Sequence, residues 1–97
     1  MTRTPIHPGE ILGEELKEIG ISGTELARQL KVPENRITQI IAGKRSITAD
    51  TALRLGKWFG TTPAFWLNLQ KSYELRKAQI EIGQELDSIP ARTAEPA

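Results

Sequence analysis

Glu34, Asn35, Arg36, Thr38 and Gln39 bring five hydrogen-bonding side chains into one short stretch of chain. Their chemistry is that of base recognition. Asn or Gln can pair bidentately with adenine, Glu can accept from the cytosine amino group, and Arg can reach a guanine or a phosphate. Asn35 and Gln39 lie four residues apart, so on a helix they share one face. The apolar residues among them, Ile37, Ile40 and Ile41, recur at helical spacing and mark the opposite side. Just upstream, Leu26, Ala27 and Leu30 form a second short stripe, and Val32 follows it. Two helices joined that tightly must cross steeply, as in a helix-turn-helix. Ala27 falls at the crossing, where a larger side chain would push the helices apart. The second helix then enters a major groove, and DNA binding is the leading function these residues support.

Composition narrows the classes further. A chain of 97 residues makes one small domain, with a modest core that dimerisation would help complete. There is no cysteine, hence no disulfide framework and no thiolate metal site, which fits a reducing cytoplasm. No apolar run approaches the roughly 20 residues of a membrane span. The opening MTRTPIHPGE lacks the apolar stretch of a signal peptide. No nucleophile–base pair, metal-ligand set or glycine-rich phosphate loop is visible, which points away from an enzyme and implies no cofactor and no metal. The net charge of +1 hides a division along the chain. Residues 22–57 carry seven basic and three acidic side chains, a balance of +4, whereas residues 1–21 and 74–97 each carry −2. Positive charge thus gathers on the helix-turn-helix segment, as phosphate contact requires.

Five helices and no alternating strand pattern emerge from the pass along the chain. Helix 1 is expected from Pro8 to Ile19, with Ile11, Leu12, Leu16 and Ile19 as its apolar stripe and Gly20 as its stop. Ser22-Gly23-Thr24-Glu25 reads as a capping box opening helix 2. Helix 3 is expected to open at Pro33 and end at Gly43 in a left-handed cap. Thr48 caps helix 4, with Asp50 favoured in its first turn, and Gly60 ends it. Helix 5 starts at Thr62-Pro63 and continues to about Leu86, carrying Phe65, Trp66, Leu69 and Tyr73 at helical spacing. The expected division is a helix-turn-helix domain with a C-terminal dimerisation helix over residues 1–86 and a disordered tail over residues 87–97. His7, the single histidine, reads as a helix-start or packing residue rather than a metal ligand. Trp58, Phe65, Trp66 and Tyr73 read as core or dimer contacts rather than stacking platforms for bases. Glu14 and Glu18 read as surface charges.

The segment ELARQLKVPENRITQIIAGKRSITADTALRL resembles the helix-turn-helix proteins related to phage lambda repressor and Cro. Three further stretches narrow the resemblance: His7-Pro8-Gly9-Glu10-Ile11-Leu12, Gly43-Lys44-Arg45-Ser46-Ile47-Thr48-Ala49-Asp50-Thr51-Ala52 and Trp66-Leu67-Asn68-Leu69-Gln70. Together they resemble the HigA-type antitoxins of bacterial toxin–antitoxin modules, over roughly residues 6–78. The resemblance implies an all-α, five-helix, lambda-repressor-like DNA-binding domain with an extended C-terminal helix. It implies a homodimer that binds double-stranded operator DNA as an autorepressor. It also implies neutralisation of a cognate mRNA-cleaving, HigB-type toxin. A stand-alone prophage-type regulator with no toxin partner remains open at this point.

By the same resemblance Glu34, Asn35, Thr38 and Gln39 fall at or near base-facing positions. Lys44 and Arg45 follow the helix 3 cap, where the chain passes the DNA backbone in related repressors. Ser46 and Thr48 offer hydroxyls to the same backbone, and Thr24 stands near the start of helix 2, which crosses the backbone in this motif. Phe65, Trp66, Leu69 and Tyr73 are the expected dimer interface. They give helix 5 more apolar surface than a small monomer can cover, and its acidic second half is ill suited to DNA. Lys31 departs from the pattern, since the turn between helices 2 and 3 often has glycine there. A left-handed backbone at Lys31 would cost roughly 1 kcal/mol, so the turn is open to a different path.

Overall fold

The computed structural model describes residues 4–93. Five helices follow one another: α1 (Pro8–Ile19), α2 (Gly23–Leu30), α3 (Glu34–Ile41), α4 (Ala49–Phe59) and α5 (Pro63–Asp87). Local signals set most of these bounds. Ser22, Thr48 and Thr62 cap α2, α4 and α5 by accepting from the N–H groups of Glu25, Thr51 and Phe65. His7 does the same for α1, its Nδ1 accepting from Gly9 N–H at 2.9 Å. Gly20 and Gly60 end α1 and α4 in the left-handed conformation. Two boundary details differ from the sequence expectation. Pro33 is the N-cap of α3 rather than its first helical residue, and α3 stops at Ile41, although Gly43 does adopt positive φ. Only half of the expected capping box forms, because the Glu25 carboxylate turns to Arg28 and Gln29.

One core unites the five helices. Leu12 and Leu16 of α1, Leu26, Ala27 and Leu30 of α2, Ile37 and Ile40 of α3, Ala52 and Leu55 of α4, and Trp66 of α5 are all buried, with Ile47 from the loop before α4. Ala27 is 1% exposed in the closely packed α2–α3 pair, where only a methyl fits. Gly23 opens α2 beside α3; a Cβ there would sit 3.0 Å from Ile41 Cδ1. The tightest approach lies between α1 and α3. A Cβ on Gly9 would fall 1.8 Å from the Ile40 carbonyl oxygen, so the start of α1 rests directly on the last turn of α3.

Lys31 resolves the open question about the turn. It is left-handed, with φ 62° and ψ 45°, and is the only non-glycine residue with positive φ among the described residues. The turn keeps the path glycine would take, because Val32 N–H reaches back to the Ala27 carbonyl at 3.1 Å and Arg54 Nη1 donates to the Leu30 carbonyl at 2.7 Å. These bonds satisfy the C-terminal carbonyls of α2 only in this geometry. Lys31→Gly is expected to stabilise the fold by about 0.5 kcal/mol, the relief of strain outweighing the added freedom of the unfolded chain. A denaturant midpoint that falls instead would show that the lysine side chain contributes more than its backbone costs.

The second half of α5 projects from the body, and the described residues span 55 × 29 × 22 Å. Ile82 interrupts its helical geometry (φ −115°, ψ 18°), one residue before Gly83, and bends the helix there. Residues 88–93, in the expected tail, are exposed and non-helical; residues 94–97 lie outside the described residues.

Candidate nucleic-acid interface

The α3 helix buries Ile37 and Ile40 completely and leaves Glu34, Asn35 and Thr38 exposed, with Gln39 half-buried beside them. At 3.6 residues per turn these four side chains share one face, opposite the two isoleucines. Glu34, Asn35 and Gln39 form no side-chain hydrogen bond within the chain among the described residues, while the Thr38 hydroxyl donates weakly to the Glu34 carbonyl at 3.3 Å. Thr24 is exposed on the first turn of α2, and a Cβ on its neighbour Gly23 would come 3.7 Å from Thr38 Cγ2. The start of α2 therefore adjoins the exposed face of α3.

Arg36 is not part of that face. It lies on the flank of α3 that turns towards α4, where its Nη1 donates to Asp50 Oδ1 at 2.6 Å. Arg54 Nε donates to the same oxygen at 2.8 Å. Asp50 is thus held by two guanidinium groups. Its pKa lies below the ordinary carboxylate value, first through the hydrogen bond from Arg54, against some desolvation, with Arg36 adding to the effect. The expected DNA contact by Arg36 competes with this clamp between α3 and α4.

Lys44, Arg45 and Ser46 are exposed on the loop that leaves Gly43, and their side chains make no hydrogen bond or ion pair among the described residues. Lys44 N–H returns to the Gln39 carbonyl at 2.8 Å, so the loop starts from the end of α3 itself. Thr48 uses its hydroxyl as the α4 cap and contacts Thr51 Oγ1 at 3.4 Å. Gln70 of α5, only 3% exposed, accepts from Ile47 N–H at 2.8 Å and fixes the far end of the loop. Its amide donates to Glu74 at 2.9 Å, which helps hold that carboxylate below its usual pKa. Sequence reasoning missed Gln70 as a structural partner of this loop. A glutamine in an amphipathic helix carries no sign of which distant N–H it will meet.

The expected dimer residues divide. Trp66 is 1% exposed, lies against Phe59, and donates from Nε1 to Thr61 Oγ1 at 2.9 Å. It belongs to the core of a single chain and has no surface left for a partner, which corrects the expectation for this residue. Leu69 packs at the edge of the same core, and Tyr73 is half-buried against the His7 ring. Phe65 remains 43% exposed. The sequence reading overlooked Leu75, Ile80, Ile82 and Leu86, exposed apolar residues farther along α5, with Ile89 exposed just beyond its end. Leu75, Ile82 and Leu86 follow one another at intervals of seven and four residues, the spacing of a helix–helix seam, with the bend of α5 at Ile82.

A helix-turn-helix family model (HTH_3) matches residues 12–66. A HigA-family addiction module antidote protein from Coxiella burnetii is 51% identical, with a TM-score of 0.90 over 93% of this chain and 100% of that one. The HigA antitoxin of Pseudomonas aeruginosa, solved with the higBA promoter, is 43% identical, with a TM-score of 0.86 over 92% of this chain and 98% of that one. Antitoxin HigA-1 of Vibrio cholerae is 38% identical over 74 residues, which cover 75% of this chain and 70% of that one. The chain belongs to the HigA family of helix-turn-helix antitoxins. In this HigA-family protein the exposed face of α3, the start of α2 and the cationic loop after Gly43 form one candidate interface. Among the described residues no helix is long and apolar enough to cross a membrane, and no group of three or more His, Asp or Glu side chains is placed to hold a metal ion.

Proposed function

We propose that this HigA-family protein is an antitoxin and transcriptional autorepressor. It binds its operator with α3 in the major groove and neutralises a cognate mRNA-cleaving toxin. The observation that carries the reading is the unpartnered Asn35–Gln39 face of α3, flanked by the free cations of Lys44 and Arg45. The likeness to an antitoxin solved with its promoter supports the DNA half, and the family supports the toxin half. In this reading Glu34, Asn35, Thr38 and Gln39 read bases. Lys44, Arg45, Ser46 and Thr24 meet phosphates, and Thr48 is chiefly a helix cap.

The two classes of contact separate experimentally. Asn35→Ala and Gln39→Ala are each expected to weaken operator binding by about 1–3 kcal/mol while changing random-duplex binding much less. Lys44→Ala and Arg45→Ala are expected to weaken both duplexes alike, each lowering the salt slope of log affinity by about one unit. Equal losses on operator and random DNA for the α3 variants would sink base readout, and unchanged slopes for the loop variants would sink phosphate contact.

The functional unit in this reading is a dimer, since one helix-turn-helix contacts too few base pairs for useful specificity. The seam runs along Leu75, Ile82 and Leu86 of α5. Light scattering is expected to give twice the chain mass of 10.8 kDa in the micromolar range. Ile82→Glu is expected to halve that value with the helical circular dichroism retained, and an operator footprint should be an inverted repeat. A monomer at every concentration with a single unrepeated footprint overturns the dimer. Co-purification with the product of the adjacent gene tests the toxin half, and recovery of no ribonuclease alongside full DNA binding favours a stand-alone regulator.

A further inference from the structure

The His7 ring sits where three elements meet. It caps α1 through Nδ1, which accepts from Gly9 N–H at 2.9 Å. A Cβ on Gly43 would lie 3.9 Å from His7 Cγ, so the exit from α3 runs against the ring. Tyr73 of α5 meets it edge to face, with ring centroids 4.8 Å apart. His7, Tyr73 and Lys77 line one shallow depression together with all four residues, 43–46, of the cationic loop. His7 itself is 8% exposed. No other histidine occurs in the chain.

We propose that His7 is a positioning residue for operator binding: in its neutral form the ring seats the loop of residues 43–46 for phosphate contact, and protonation unseats it. The proposal rests on the reading that this loop meets the DNA backbone. An Nδ1 that accepts from Gly9 cannot carry a proton, so the proton of the neutral ring is on Nε2. A second proton would have to enter at Nδ1, facing the Gly9 N–H. Two donors would then oppose each other, the α1 cap would be lost, and a cation would stand at a helix N-terminus, where the dipole disfavours it.

The neighbouring charges come from every packed element. Burial lowers the His7 pKa most, Glu10 in the first turn of α1 and the Arg45 backbone oppose this, and Lys77 of α5 reinforces it. Lys44 and Arg45 of the loop and Tyr73 of α5 complete the charged and titratable groups around the ring. The folded protein therefore holds the neutral ring more firmly than the unfolded chain does. The stabilisation is complete above the ordinary histidine pKa and is lost as pH falls through that value towards the lowered one. Gly43 and Lys44 stay bonded to the Ile40 and Gln39 carbonyls of α3, and Gln70 anchors the far end of the loop at Ile47, so unseating at His7 acts on Arg45 and Ser46 without releasing α3 or α4.

Operator and random-duplex affinities of the full chain, measured between about pH 8 and pH 5.5, test this. Wild-type affinity should fall several-fold on acidification, on both duplexes. His7 is the only side chain whose ordinary pKa lies in this range, and the α-amino group, which also titrates there, is common to the His7→Asn control. His7→Asn keeps a cap acceptor and cannot titrate, so its profile should be flat and should sit near the acid plateau of the wild type. Its salt slope should be shallower than that of the wild type at about pH 8. A thermal melt of each sample confirms that binding is read on folded protein, and the wild-type profile needs no variant at all. A flat wild-type profile, or a His7→Asn variant with wild-type affinity at high pH, overturns the proposal. Failure of the underlying reading looks different. Unchanged salt slopes in Lys44→Ala and Arg45→Ala would remove the phosphate contact itself, whereas altered slopes there with an inert His7 would remove only the role of His7.

Discussion

Gly9→Ala is expected to destabilise this protein by about 3 kcal/mol, at the upper end of what overpacking costs. The added methyl would fall 1.8 Å from the Ile40 carbonyl oxygen and 2.7 Å from the Ile40 carbonyl carbon. Both are backbone atoms of the last turn of α3, so no side-chain rotation can make room. The start of α1 or the end of α3 must move. Ile40 is fully buried, and its carbonyl also accepts from Gly43 N–H at 3.0 Å, so displacement there reaches the cationic loop. The variant should lose operator affinity as well as stability. Urea unfolding at fixed protein concentration gives the first quantity, and titration of the fraction still folded gives the second. A midpoint within error of the wild type would mean that α1 and α3 are not in contact at this point.

Trp66→Ala is expected to cost about 3–5 kcal/mol, the range for removal of a fully buried large aromatic. The indole lies 1% exposed between α4 and α5, with ring contacts to Phe59 and Phe65 and a hydrogen bond to Thr61. Its removal opens a cavity between these helices and leaves the Thr61 hydroxyl without its donor. Since a small domain has only about 5–15 kcal/mol of total stability, much of the protein should be unfolded near physiological temperature. The contrast with the α5 seam is the informative part. Loss of Trp66 should lower stability at every protein concentration, because the residue belongs to one chain. Ile82→Glu should act mainly through association, making the melting temperature insensitive to dilution where that of the wild type falls. Equal dilution behaviour of the two variants would show that Trp66 and Ile82 serve the same surface.

Much of the candidate site was legible before any coordinates. Asn35 and Gln39 share a face because four residues complete about one helical turn, and Ile37 and Ile40 declare the other face buried. Caps are equally local. Ser22, Thr48 and Thr62 each satisfy an N–H three residues ahead, and Gly20, Gly43 and Gly60 take positive φ after their helices. Such interactions close within a few residues, so residue type and spacing alone determine them. The same locality explains why the basic segment and the α3 face could be assigned together.

What only the tertiary structure decided involves partners far apart in the chain. Arg36 meets Asp50 fourteen residues on, and Gln70 meets Ile47 across twenty-three. Nothing in either local sequence separates a DNA-reading arginine from one that clamps two helices. Trp66 and Leu75 are both apolar residues of α5, yet the first closes the core and the second stands in solvent, because α4 covers only the first half of that long helix. Lys31 accepts a left-handed backbone despite its Cβ, since the bonds to Ala27 and Leu30 require that turn. Gly9 is required by a carbonyl thirty-one residues away. The sequence of this protein by itself determined its helices, their caps and the exposed polar face of α3, because short-range periodicity and hydrogen bonding carry that information. The partners of each remaining side chain were set by how the helices pack, because close packing brings together residues that no local spacing relates.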